Sequence, residues 1–311
     1  MLGTRLSGYN GAQTRFQPGR FPVKNAGPRL LQSVRRLRGL AAAGKARQLI
    51  RKFREANMSD LGVQPVAGVA PGLSQMQRLT NTFTAPSKTF EDIKRGHRSW
   101  WLPFLLSALV TYIFFFAITS KVGWATVADN MVRMNPKAEE RMSQLTPEQR
   151  ETQMKGMRYG TEGFFAAAPV VFGLGFTAAI AAVLLGTINF GFGGRATYGS
   201  VFAVCMYAFL PWLIRALLGT IVLYSGIAPE SFNLNTPAPT SLGAFLSPQD
   251  TNLAVYTLAT WIDFTTIWCM VLLGIGLATV AGVKRTSGYI ATFGWWALIL
   301  IISVGWAAFT G

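Results

Sequence analysis

Five long apolar runs organise this chain: about 100–119, 163–190, 198–225, 253–283 and 288–309. Polar, glycine-rich or charged stretches separate them. A bilayer span needs roughly 20 apolar residues at 1.5 Å rise each, and every run meets that length. The pattern predicts an all-α protein, a polytopic membrane bundle of five transmembrane helices. A soluble protein hiding five such helices in its core is the poorer reading.

The segments between the runs carry the remaining signals. In the stretch 120–162, Thr146 is placed to cap a helix, Pro147 stands at its first position and Gln149 closes a capping box, so a polar surface helix is expected over about 145–158. Ahead of the first run, Ser87 is placed to cap a short helix from near Lys88, with Phe83, Phe90 and Ile93 on its apolar side. Lys94, Arg95 and Arg98 then meet the lipid surface, and Trp100 and Trp101 sit at headgroup level. This reads as an interfacial entry helix near 88–98. Residues 59–80, rich in Gly, Pro and Val, show no strong period and read as mostly disordered.

Composition sharpens the picture. Charged residues make up only 14% of the chain, against a net charge of +16. Eighteen of the 29 Lys and Arg fall in residues 1–99. Basic residues beside apolar spans are an orientation signal that favours the cytoplasmic side, so nucleic acid is not the implied partner; membrane lipids are. Residues 1–57 hold 13 basic residues and one acid. They read as a disordered or amphipathic basic extension, as an organelle targeting segment, or as sequence ahead of a true start at Met58. Residues 58–99 form a cytoplasmic segment, and 100–311 the membrane domain. The loop 191–199 carries Arg195, the loop 226–252 has no Lys or Arg, and the last loop carries Lys284 and Arg285. This alternation puts the N-terminus in the cytoplasm and the C-terminus outside, with the stretch 120–162 outside despite its seven basic residues.

Two charged side chains lie deep in the spans, Arg215 and Asp263. A lone charge in hydrocarbon costs a few kcal/mol or more. Each residue stands ten positions from the end of its span nearest the 226–252 loop, roughly 15 Å deep. An intramembrane ion pair between them, structural or gating, is therefore the expected answer, with Thr265 and Thr266 adding hydrogen bonds. No second intramembrane acid or histidine accompanies them, which argues against an ion-coupled pump. Small-residue stripes, Ala178/Ala182/Gly186 and Gly274/Ala278/Gly282, mark expected helix contacts. Pro103, Pro169 and Pro211 fall at or inside spans, where they can kink a helix.

Chemistry is otherwise sparse. The chain has no phosphate-binding G-x-x-x-x-G-K-[ST], no G-x-S-x-G elbow and no H-E-x-x-H. Cys205 and Cys269 both lie in spans, and His97 has no second ligand nearby. The sequence predicts no enzyme, no cofactor and no metal site.

Two stretches carry a resemblance. FTAPSKTFEDIKRGHRSWWLPFLL contains an aromatic residue, P-x-x-T/A-F-x-x-I, a basic patch and W-x-x-P, as Phe83, Pro86, Thr89, Phe90, Ile93, Trp100 and Pro103. TYGSVFAVCMYAFLPWLI opens the third span with Gly199, Tyr207 and Pro211. Over about residues 80–310 the chain resembles the Yip domain family, the Ypt/Rab-interacting five-span membrane proteins, in its bacterial branch. The resemblance implies a five-span fold with a cytosolic N-terminus, in a bacterial inner membrane. Eukaryotic relatives bind prenylated small GTPases, but their D-L-Y-type motif is not evident here, so GTPase binding is not carried over. The expected role is a non-enzymatic membrane scaffold or adaptor that engages lipid, protein partners or further copies of itself. A small-solute or ion channel or transporter with a polar site near Arg215 and Asp263 is the alternative.

Overall fold

The computed structural model describes residues 72–310 and, ahead of them, Lys52. The basic extension 1–57, the start at Met58 and the stretch 59–71 lie outside the described residues. Among the described residues the secondary structure is helical, apart from one isolated antiparallel bridge between Ser241 and Asp263.

Two short helices come first, α1 Gln75–Thr84 and α2 Pro86–Lys94. Helix α1 occupies sequence expected to be mostly disordered. Its start is fixed by a capping box in which the Ser74 hydroxyl accepts from Gln77 N while the Gln77 side chain accepts from Ser74 N. Helix α2 begins at Pro86, two residues before the expected start, because proline is pre-set for the first helical turn. Ser87 does not cap it; its hydroxyl accepts from Arg285 at 3.0 Å.

Helix α3, Trp101–Lys121, is the first span. The stretch 120–162, where one surface helix was expected, forms α4 Trp124–Arg133, α5 Pro136–Ser143 and the start of α6 Pro147–Val170. The Thr146/Gln149 capping box and Pro147 start α6 as expected. The helix does not stop near residue 158. It runs into the second span, so that Pro147–Gly191 forms one helical rod of 45 residues. At 1.5 Å per residue that is about 65 Å, twice the hydrocarbon thickness, so its polar first half projects beyond the bilayer. Pro169 lacks an N–H for the ladder, and the rod widens to a π-helix at Val171–Phe176 before α7, Thr177–Gly186. A second π segment, Thr187–Gly191, ends it.

The third span breaks at Phe209–Leu210 into α8 Tyr198–Ala208 and α9 Pro211–Tyr224, with Pro211 opening the second half. The fourth breaks at Ile262–Asp263 into α10 Leu253–Trp261 and α11 Phe264–Ala281. Helix α12, Arg285–Thr310, completes the bundle. Among the described residues five segments are long and apolar enough to cross a membrane.

One core cluster centres on α8 and α11, with Phe90 and Ile93 of α2 fully buried in it. A second joins α3, α4 and Leu223 to Phe232 of the 226–252 loop. Only part of the small-residue pattern is used. A Cβ on Gly288 would stand 2.1 Å from Gly274 O, and one on Gly274 would stand 2.3 Å from the Tyr289 ring, so α11 and α12 touch backbone to backbone there. The stripe Ala178/Ala182/Gly186 is not packed in this way. Ala182 is exposed, and α7 faces the core with Ala181 and Leu184.

Gly288→Val should drive α12 off α11 and cost about 3 kcal/mol. Gly294→Ala, in open space inside α12, should leave stability unchanged or raise it by up to about 1 kcal/mol. Unfolding of the two variants in a graded mixed-detergent titration checks both values.

Candidate functional site

The break in the fourth span accounts for its carboxylate. Asp263 is the N-cap of α11: its Oδ1 accepts from Thr266 N at 2.9 Å and from the Thr265 hydroxyl at 2.5 Å. Its Oδ2 accepts from the Thr240 hydroxyl at 2.5 Å. Thr240 belongs to the 226–252 loop, which dips to the break and pairs with it. Leu242 N donates to Ile262 O, and Phe264 N donates to Thr240 O. The carboxylate is only 1% exposed and holds a favourable place at a helix N-terminus.

Arg215 makes no direct contact with this carboxylate. Among the described residues no ion pair within 4.0 Å joins Arg215 to Asp263. The direct pair expected from matched depth does not form, because the dipping loop supplies nearer partners to both. Asp263 takes Thr240, and the Arg215 guanidinium donates through Nη2 to Asn235 O at 2.5 Å. Thr265 and Thr266 do serve Asp263 as expected.

Arg215 lines an open cavity of about 540 Å³ between α4, α9, α10 and the 226–252 loop. Asn130, Asn135, Asn233, Asn235, Tyr256 and Thr257 supply most of its polar wall. No carboxylate lines it. The wall is held firmly: Asn130, 3% exposed, donates through Nδ2 to both Pro229 O and Phe232 O, and Asn233 donates to the Tyr256 hydroxyl at 2.7 Å. A second, almost wholly apolar cavity of about 420 Å³ lies among α7, α9, α11 and α12. Both count Trp212, Trp261 and Thr266 among their walls, and Trp212 Nε1 donates to Thr266 Oγ1 at 3.2 Å.

At the other end of the bundle the α1–α2 hairpin is clamped by a buried ion pair. Arg78 Nε stands 3.3 Å from Asp92 Oδ2, outside hydrogen-bond alignment, with both side chains nearly sealed. Arg78 also donates to His97 O, Ser99 O and Leu73 O. Asp92 Oδ1 accepts from Leu73 N and faces His97 Nδ1 at 3.2 Å. Arg78 thus ties the hairpin to the turn that enters the first span. Its own carbonyl accepts from the Thr82 and Thr89 hydroxyls.

The expected membrane-interface residues lie at this end. Lys94, Arg95 and Arg98 are exposed. Trp101 is half exposed, while Trp100 packs edge-on against Phe104 and Phe202. The hairpin is not laid on lipid by its apolar side, as the interfacial reading supposed, because Phe90 and Ile93 fill the bundle core. Arg195 joins the same end, its N–H donating to Ala281 O, and the Lys284–Arg285 turn joins it through Arg285 and Ser87. Among the described residues no cluster of His, Cys, Asp and Glu could hold a metal ion. Cys205 and Cys269 are buried free thiols.

Compared with family models, the chain matches the Yip1 domain over residues 80–307. It belongs to the Yip1 domain family. Searches of curated proteins and of solved structures found no match. The match identifies the Yip1 domain and does not single out a bacterial branch of it. Most of the residues that carried the resemblance lie at the joint between hairpin and bundle. Pro86 starts α2, Thr89 bonds Arg78 O, and Phe90 and Ile93 enter the core. The Tyr207 hydroxyl bridges Ser99 O and the Gln75 side chain, and Gly199 faces the Arg98 side chain, where a Cβ would make only ordinary contact. Pro211 opens α9. Five apolar helices and this domain make the chain a multi-pass integral membrane protein.

The sequence reading missed Arg78 and Asp92, and it missed Thr240. The SQMQ capping box at 74–77 was a legible signal for α1. Asp263 followed by Thr266 was a legible N-cap signal. Nothing local marked Thr240, whose partner is 23 residues away.

Asp263→Ala should cost about 2 kcal/mol through loss of the cap, and Asp263→Asn less, because one acceptor oxygen remains. Thermal unfolding in a nonionic detergent measures both. Asp92→Asn should cost about 3 kcal/mol by leaving Arg78 charged, buried and without its counter-ion. Hydrogen exchange across 73–99 should rise in that variant while exchange in α11 stays slow.

Proposed function

We propose that this protein is a non-enzymatic membrane scaffold or adaptor whose basic end engages anionic partners, lipid headgroups or the acidic surface of another protein or of a second copy. One observation carries the reading. Lys94, Arg95, Arg98, Arg195, Lys284 and Arg285 come from three separate segments, are all exposed, and belong to one end of the bundle. Glu91 is the exposed acid of α2, and Asp92 is spent on Arg78. The Arg78–Asp92 clamp makes the hairpin a fixed platform, so the cations meet a partner without first paying to be ordered. On the positive-inside rule this end faces the cytoplasm and the C-terminus lies outside.

A pathway for a small solute or ion past Arg215 is the second reading, favoured by the polar cavity around that residue. Asp263, sealed by its threonines, is not among the cavity's lining residues.

The adaptor reading is tested by neutralising Lys94, Arg95 and Arg98 to Gln together. In proteoliposomes at low salt, wild-type protein should retain spin-labelled phosphatidylglycerol over spin-labelled phosphatidylcholine. The triple variant should lose at least about half of that preference, and salt near 0.1 M should weaken it by screening beyond about 10 Å. An undiminished preference in the folded variant would sink the lipid side of the proposal.

A further inference from the structure

The two cavities around Trp212 and Trp261 differ in chemistry, and the difference is ordered. One has Arg215 as its charged lining residue, is ringed by asparagine amides and hydroxyls, and has no carboxylate in its wall. The other is lined by aliphatic and aromatic side chains, among them Phe176, Ile180, Trp295 and Ile299. Ligand cavities of roughly 300–1,000 Å³ with a few convergent polar groups are the usual binding sites of small molecules, and both volumes fall in that range. Trp212, Trp261 and Thr266 belong to both walls, so a polar compartment and an apolar compartment meet at one partition, stitched by the Trp212–Thr266 hydrogen bond.

We propose that the pair forms one site for an anionic amphiphile, its head on Arg215 and its hydrocarbon tail in the tryptophan-lined slot. Charge complementarity sets the head. A guanidinium has five N–H donors in a planar fork that suits carboxylate or phosphate, and among the described residues one of them is engaged, by Asn235 O. Asp263 does not neutralise Arg215 by contact, because its oxygens are taken by Thr240, Thr265 and Thr266. The amides of Asn130 and Asn233 are committed to the protein's own carbonyl and hydroxyl groups and hold the wall in shape. The apolar compartment sets the tail. The Thr266 hydroxyl accepts from Trp212, Thr292 donates to backbone carbonyls, and Trp295 Nε1 donates to Thr187. Trp296 Nε1 is the exception, a buried donor with no partner among the described residues. Unpaired buried donors are costly, and Trp296 lines the apolar compartment, so an acceptor oxygen carried by a bound amphiphile is the kind of partner it lacks. This site is separate from the basic end on which the adaptor reading rests.

The test uses the full chain, purified in a nonionic detergent and titrated by native mass spectrometry. The probes are oleoyl phosphatidate, oleate, oleoyl phosphatidylcholine and inorganic phosphate. The two anionic amphiphiles should bind at least tenfold more tightly than the phosphatidylcholine of equal chain length, and more tightly than inorganic phosphate. The stronger of the two identifies a phosphate or a carboxylate head. Arg215→Gln should weaken both at least tenfold, while Arg215→Lys, which keeps the charge, should retain most of the binding. Ala179→Trp, filling the slot from its lipid-exposed wall, should weaken the long-chain probes and leave inorganic phosphate unchanged. Equal binding of the anionic and zwitterionic probes overturns the proposal, as does unaltered binding in an Arg215→Gln protein that unfolds at the wild-type temperature. Neutralising Lys94, Arg95 and Arg98 should leave this binding in place, which separates its failure from failure of the adaptor reading.

Discussion

Hydrocarbon offers no partner to a bare N–H or C=O, so every interruption of a membrane helix has to be repaired by the protein itself. That constraint governs the fourth span. Between Trp261 and Phe264 the helix stops, and a free N-terminus is left inside the bundle. Asp263 caps it, and the 226–252 loop descends to supply Thr240 and a short antiparallel pairing. The carboxylate is therefore no foreign charge in an apolar run. It stabilises the chain break, since its acceptors match the orphan donors that the break creates. Once the loop is drawn down in this way, its asparagines are brought over α9 and α10, and the polar cavity beside Arg215 follows.

The opposite end solves a different problem with the same means. A short amphipathic hairpin buries too little apolar surface to hold itself in place. Phe90 and Ile93 give it an anchor in the core, and the Arg78–Asp92 pair fixes its angle. A buried ion pair is weak evidence of net stabilisation, because desolvation offsets much of the attraction. Its value here is registry: Arg78 binds carbonyls on both sides of the hairpin as well as the carboxylate, so the turn into the first span has one arrangement. Several residues of the two motif stretches, Pro86, Thr89, Phe90, Ile93 and Tyr207, gather at this joint, where they dock the hairpin.

Much of this was legible in the sequence, for physical reasons that differ by element. The spans were, because apolarity over 20 residues is a local and sufficient condition. The start of α6 was, because a capping box is written in four residues. Its end was not, since a polar helix and an apolar span can share one continuous backbone ladder, and composition changes where hydrogen bonding does not. The hairpin was half legible. Its apolar side was visible at Phe90 and Ile93, but whether such a side meets lipid or protein depends on what α8 and α11 leave open. Val204 and Gly276 set that fit against Phe90. Depth reckoning from span ends brought Arg215 and Asp263 to the same level and stopped there. Helices were treated as unbroken and the loop as lying clear of them, and at the residues where the site is built the fourth span breaks and Thr240 and Leu242 of the loop bond to the break.

The contrast between those two residues bears on how any intramembrane charge is read. Rarity alone makes a charge noticeable, yet rarity is shared by a helix cap and by a ligand-binding group. What separates them is how many of the available hydrogen bonds the protein has already used. Asp263 has both oxygens filled and lines neither of the two cavities described, so its charge is consumed by structure. Among the described residues Arg215 donates to one backbone carbonyl and lines a cavity whose wall includes no carboxylate. A guanidinium kept ionised in a low-dielectric setting is costly while it is under-satisfied, and an anion entering the cavity would reduce that cost. The same reasoning applies at the basic end, where Asp92 is paired with Arg78 and, among the described residues, no carboxylate pairs with the outward lysines and arginines. In both places the charge to follow toward function is the one the fold has left unpaid.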